Sequence, residues 1–147
     1  MIMSLLLGFG VMSYAQSAPS AVKSAFEKKF PNAKSVEWKK ENDSEWEAEF
    51  KLNGVEYSAN FSNDGTWKET EHEIKESELP NAVKNTLNDQ FGDYKVEDVE
   101  MIETPGFSGY EIEIEKGKET IELVIDNSGK VLKKKVETES EEEEDED

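Results

Sequence analysis

The 147-residue sequence contains no cysteine, no arginine and a single histidine. The lack of cysteine excludes a disulfide framework, a thiol nucleophile, a thiolate metal site and lipid attachment at a cysteine, so stability has to come from packing. The lack of arginine leaves 17 lysines against 35 acidic residues and a formal charge of −18. Binding to a phosphate backbone depends on clustered cations that release counterions, so nucleic acid is not a partner, and an anionic membrane surface is disfavoured for the same reason. A serine triad would have to use the one histidine, and neither a glycine-rich phosphate loop nor an HExxH pair occurs. The histidine, His72, lies between Glu71 and Glu73 in an alternating segment and reads as a solvated strand residue rather than a metal ligand. Carboxylate pairs are so abundant that no pair stands out as an acid and base. Neither enzymatic activity nor a cofactor is expected. An apolar content of 35% is low for one well-filled globule, and part of the shortfall lies at the two ends.

Residues 1–15 carry no charge. Ile2 to Val11 is an apolar run too short to span a bilayer, and Ser13-Tyr14-Ala15 supplies small residues before a cleavage point, although no Lys or Arg precedes the run. A signal peptide over 1–15 is expected, hence a periplasmic or secreted protein with no stable membrane insertion after cleavage. At the other end, nine of the eleven residues from Glu137 onward are acidic, and setting them aside still leaves a body with net charge −9. The tail 137–147 is expected to be disordered, a solubilising brush or a weak calcium binder.

Between the ends the organising stretch is Trp46 to Trp67. Trp46, Ala48, Phe50 and Leu52 alternate with polar residues up to Asn53-Gly54, and Val55, Tyr57, Ala59 and Phe61 alternate up to Asp64-Gly65. Asn-Gly and Asp-Gly tolerate the positive φ angles of tight hairpins, so the stretch predicts an antiparallel meander, with Trp67 opening a further strand. Val36 and Trp38 share one side of an earlier strand over Lys34–Lys40. Pro19 to Phe30 has Val22, Ala25, Phe26 and Phe30 at helical spacing. One helix laid across four strands would bury the apolar faces and leave Glu45, Glu47, Glu49, Glu56, Ser58 and Asn60 on the opposite face.

The same grammar repeats. Pro80 to Phe91 matches Pro19 to Phe30 at an offset of 61. Tyr110, Ile112 and Ile114 answer Trp46, Ala48 and Phe50 at 64, and Ile121, Leu123, Ile125 and Ser128-Gly129 answer Tyr57, Ala59, Phe61 and Asp64-Gly65. The drift predicts a loop insertion near Pro105-Gly106. The reading is α+β with two tandem helix-plus-four-strand units, 16–78 and 79–136, joined by Thr70 to Glu78. Their sheets could run on into one continuous curved sheet, edge pairing not being legible from sequence.

The pattern Pro19-x-x-Val22-x-x-x-Phe26-x-x-x-Phe30-Pro31, with Val36-x-Trp38, Trp46-x-Ala48-x-Phe50 and Tyr57-x-Ala59-x-Phe61-x-x-Asp64-Gly65, resembles the PepSY-like domains of exported bacterial proteins. That family is similar in fold to beta-lactamase inhibitor protein, which grips its target with the concave face of a sheet built from tandem helix-plus-four-strand units. The resemblance covers residues 18–136 and implies an envelope protein of binding or inhibitory type. The second repeat departs from the first in lacking Trp and in having Gly92 where the first has Pro31. The expected function is a non-catalytic module recognising a protein partner, conceivably a basic one, through its sheet face. Candidate contacts are Glu45, Glu47, Glu49, Glu56, Glu111 and Glu113, with Trp38, Trp46 and Trp67 as anchors should any of them project; inward alternation otherwise makes these Trp residues core. The alternative is an envelope protein that binds calcium or other divalent cations weakly through surface carboxylates and the tail.

Overall fold

A computed structural model describes residues 17–138; the expected signal peptide and residues 139–147 of the acidic tail lie outside the described residues. The chain order is α1 (Ser20–Lys29), β1 (Lys34–Lys40), β2 (Glu45–Leu52), β3 (Val55–Ser62), β4 (Trp67–Glu73), a 3-10 turn (Glu76–Glu78), α2 (Asn81–Phe91), β5 (Lys95–Thr104), β6 (Phe107–Lys116), β7 (Glu119–Asp126) and β8 (Val131–Thr138). The eight strands are hydrogen-bonded in sequence order in one sheet, and the pairs β1–β2, β2–β3, β3–β4, β4–β5, β6–β7 and β7–β8 are antiparallel. The class is α+β, with an open antiparallel sheet and two helices.

The chain divides into two compact units that do not follow the linear repeat. Residues through Ile74 associate with Glu100–Ser108, and Lys75–Val99 with Gly109 onward. In the first unit Val22 and Phe26 of α1 are buried with Trp46, Ala48, Phe50, Ala59 and Phe61, and Val36, Trp38 and Trp67 pack against them. Phe26 sits at the centre, its ring 4.9 Å from Phe50, 5.2 Å from Trp38 and 6.2 Å from Phe61, each edge to face. That is the geometry aromatic quadrupoles favour. In the second unit Val83, Leu87 and Phe91 of α2 are buried, as are Val99, Tyr110, Ile112, Ile114, Ile121, Leu123 and Ile125, so a mainly aliphatic core does the work of the aromatic one.

The expected hairpin at Asn53-Gly54 is present, with positive φ at both residues (51° and 83°), as a type I′ turn requires. The connection from β3 to β4 is longer, and it is tied together by Asp64, whose carboxylate accepts the Ser62 hydroxyl and the Thr66 amide, each at 2.9 Å. Its glycine has a second duty. Gly65 (φ +88°) lies against α1 so closely that a Cβ would stand 2.6 Å from the Ala21 carbonyl oxygen. Gly129 (φ +85°) repeats the contact at 2.5 Å from the Ala82 carbonyl oxygen of α2. There Thr86 Oγ1 also donates to the Gly129 carbonyl at 2.6 Å. Each helix is seated on a turn by a glycine against a first-turn carbonyl.

Three expectations need correction. Thr70 to Glu73 belong to β4 rather than to the joining segment, because backbone pairing with β3 and β5 does not need apolar side chains. Pro105-Gly106 is only a two-residue turn, and the extra length expected there lies in β5 and β6, ten residues each against seven and eight in β1 and β2. Glu137 and Thr138, placed in the tail from their charge, complete β8 opposite Thr120 and Glu119.

Two predictions follow from the turns. Gly65→Ala or Gly129→Ala should cost roughly 2–4 kcal/mol, combining left-handed strain with a backbone clash. Gly54→Ala, where nothing lies within 4 Å of the new methyl, should cost about 1 kcal/mol. Urea unfolding of the three variants checks the order. For Asp64, its hydrogen bonds to the Thr66 backbone, then to side chains, lower the carboxyl to about 2 from 3.8. A depressed folded-state value stabilises above the unfolded value, so Asp64→Asn should be less stable at neutral pH, with the difference lost as pH falls from about 3.8 towards 2. Thermal unfolding across that window reads it directly.

Candidate functional site

Directly paired residues in an antiparallel ladder share a face. The helix-covered face of the first unit carries Trp46 opposite Phe61, Ala48 opposite Ala59 and Ala59 opposite Thr70. The other face carries Glu37 opposite Glu49, Lys39 opposite Glu47, Glu47 opposite Asn60, Glu49 opposite Ser58, Asn60 opposite Glu69 and Ser58 opposite Glu71. The β4–β5 ladder adds Ile102 to this outer face, across from Glu71, and Ile102 is buried. Strand alternation therefore puts the candidate glutamates and the candidate tryptophans on opposite sides.

Trp46 is corrected as an anchor: only 5% of it is exposed, and its indole Nε1 donates to Oδ1 of the turn residue Asn63 at 2.9 Å. Trp38 is half-buried against Phe26 and Phe61. Trp67 is half-buried, its Nε1 donating to the Glu69 carbonyl (2.9 Å) and to Thr70 Oγ1 (2.8 Å), with the Lys29 ammonium 3.6 Å from its ring centroid. His72 stacks on Tyr57, ring centroids 4.4 Å apart.

The glutamates of β2 are individually distinct. Glu45 accepts from Asn42 Nδ2 at 3.0 Å, and Glu49 is hydrogen-bonded by the Lys39 ammonium. That bond is the first cause of the raised Lys39 pKa. Glu56 pairs with Lys51 at 3.4 Å near the β2–β3 turn. Glu47, half-buried between them, has its carboxyl pushed up, first by burial and then by the charges of Glu41 and Glu49. Repulsion concentrated at one partly desolvated carboxylate is an electrostatic cost that the core does not require. In the second unit Glu111 lies opposite Val124 and Glu113 opposite Glu122. The Glu113 carboxyl is likewise pushed up, by burial first and then by Glu122. Lys135 reaches both Glu122 (3.7 Å) and Glu137 (2.5 Å), so β8 brings cations to that face. Sequence reasoning missed Glu37, Glu69, Glu71 and Ile102. The alternation Glu69, Glu71, Glu73 would have revealed the middle of the set had β4 been extended past Trp67.

Among the described residues no group of three or more His, Asp or Glu side chains is arranged to hold a metal ion. Glu47→Gln should stabilise the protein at pH 7 by roughly half a kcal/mol, the scale of a like-charge cross-strand pair. A raised folded-state value means that the native carboxyl binds protons more readily than the unfolded one, so the advantage of Gln shrinks as pH falls and disappears below about 4.5. Paired denaturant titrations at pH 7 and pH 4 measure the difference.

The profile of the family described as "Putative beta-lactamase-inhibitor-like, PepSY-like" matches residues 13–58 and 44–133. Solved structures with similar folds include a DUF2874 family protein from Bacteroides ovatus, at 25% identity and TM-score 0.76, covering 82% of this chain and 89% of the other. A BLIP-like protein from Bacteroides fragilis matches at 25% identity and TM-score 0.76, covering 87% and 93%. A Bacteroides eggerthii protein described among "putative periplasmic proteins" matches at 24% identity and TM-score 0.75, covering 84% and 91%. No curated protein matches. No catalytic family is indicated. With its helix-backed antiparallel strands and a matched span running from residue 13 to 133, the chain belongs to the PepSY-like, beta-lactamase-inhibitor-like family.

Proposed function

We propose that this chain is an exported, non-catalytic module that recognises a basic protein partner through the outer sheet face of its first unit. The observation that carries the reading is the row of carboxylates on the outer ladder face, with Glu47 half-buried among them opposite Lys39 and its carboxyl pushed up first by burial and then by the charges of Glu41 and Glu49. Like charges held together in this way focus a negative potential, which speeds encounter with a positive surface and selects against acidic ones. Glu37 of β1, Glu45 and Glu49 of β2, and Glu69 and Glu71 of β4 extend that potential, and Glu56 stands near its rim. Glu111 and Glu113 form a smaller, lysine-tempered counterpart in the second unit. The family, and the description of one similar structure as BLIP-like, support an inhibitor-like role.

Within this reading the molecule is a tandem repeat of two αββββ units. Support comes from Pro19 and Pro80 ahead of the helices, from the matching glycine–carbonyl seats, and from register shifts at Asn60/Phe61 and at Val124/Ile125. Export is supported by the apolar, uncharged N-terminal sequence and by the description of one similar structure as "putative periplasmic". Among the described residues no helix is long and apolar enough to cross a membrane.

The test is crosslinking capture from envelope extract with the native protein and an E45Q/E47Q/E49Q variant. A basic protein should be retained by the native chain and held about tenfold more weakly by the variant, at roughly half a kcal/mol for each exposed charge lost. Added salt should weaken native capture through screening. Equal retention by both proteins, or salt-independent capture, contradicts the reading.

A further inference from the structure

We propose that a groove beside Trp67 receives an arginine side chain from a protein partner. The groove is shallow and open to solvent, with a volume of about 420 Å³, and is lined by Trp67, Glu103, Thr104, Gly106, Phe107 and Ser108, all in the first unit. It lies on the helix side of the ladder, away from Glu47, and is independent of the acidic-face reading. Its floor is held in place. Trp67 Nε1 is fixed by the Glu69 carbonyl and by the hydroxyl of Thr70, a residue only 4% exposed, and the β4–β5 ladder sets Glu103 directly opposite Thr70. A carboxylate and an oriented indole therefore face the same space, with Phe107 as a second aromatic wall.

The indole already attracts a cation, as the Lys29 ammonium 3.6 Å from its centroid demonstrates. A guanidinium suits the groove better than an ammonium, because its plane stacks on an aromatic ring while its fork donates to a carboxylate. The sequence contains no arginine, so the side chain has to come from another molecule. The walls Thr104 to Ser108 come from the end of the β5–β6 hairpin, where both strands exceed their β1 and β2 counterparts in length. What distinguishes the second repeat from the first thus builds the groove.

Titration of the native protein with Gly-Gly-Arg-Gly-Gly, followed by the indole N–H resonances of the three tryptophans, tests the assignment. A saturable shift confined to Trp67 is expected, absent when citrulline replaces arginine. In E103Q, an exposed strand substitution, binding should weaken about three- to fivefold, the loss of one solvent-exposed charge pair. Dispersed Trp38 and Trp46 resonances report that each variant is folded. No saturable shift at Trp67, or an equal response to the citrulline peptide, overturns the site; equal binding of a lysine peptide overturns the choice of arginine. Because Glu103 and Glu47 lie on opposite faces, capture by the acidic face and peptide binding here succeed or fail separately.

Discussion

One ten-residue helix has to cover the apolar faces of the strands in the first unit, and Phe26 makes this possible. Its ring contacts Phe30, Trp38, Phe50 and Phe61, reaching several strands from a single helical position. A smaller residue would leave a void that neighbours on separate strands could not collapse to fill. The helix must also lie close to the sheet for that ring to reach, and the absence of a side chain at Gly65 lets the β3–β4 turn approach Ala21 and Ala25 of α1. The core and the turn are thus one device: the turn seats the helix, and the helix places the ring.

Because the helix side of β2 meets the demand for burial there, the other side of that strand is free to carry charge. Period-two alternation then lets Glu45, Glu47 and Glu49 vary without touching Trp46, Ala48 or Phe50. A surface released from packing can carry a charge pattern that folding alone would select against. The raised Glu47 carboxyl is the local sign of that pattern, and the Lys39–Glu49 ion pair limits its cost. The second unit strikes a different balance, since Lys135 of β8 sits against Glu122 beside the crowded Glu113.

Much of the fold was legible because its punctuation is strong. Asn53-Gly54, the alternation through β2 and β3, and Pro19 and Pro80 before the helices each tie a residue type to one backbone geometry. What escaped detection had no apolar signature. The Thr70–Glu73 end of β4 has a threonine as its one buried residue, and the end of β8, Glu137 and Thr138, pairs through its backbone while its side chains are exposed and polar. Ile102 was missed for the opposite reason. Both it and Val99 are buried, but they sit on different faces of β5, so simple alternation fails there. Of the candidate site, alternation found the outer-face glutamates of β2, and the ladders added Glu37, Glu69 and Glu71 from neighbouring strands. Trp46 was the misplaced member, because an inward aromatic and a partner anchor have the same sequence signature.

The central claim is that alternate residues of one strand divide the labour, inward ones holding the fold and outward ones meeting a partner. A substitution scan from Glu45 to Leu52, with each variant read for both unfolding free energy and retention of the captured protein, tests it most directly. The account predicts that Trp46, Ala48 and Phe50 variants lose stability, while Glu45, Glu47 and Glu49 variants lose retention with stability unchanged or raised. Both losses falling on the same residues would contradict it.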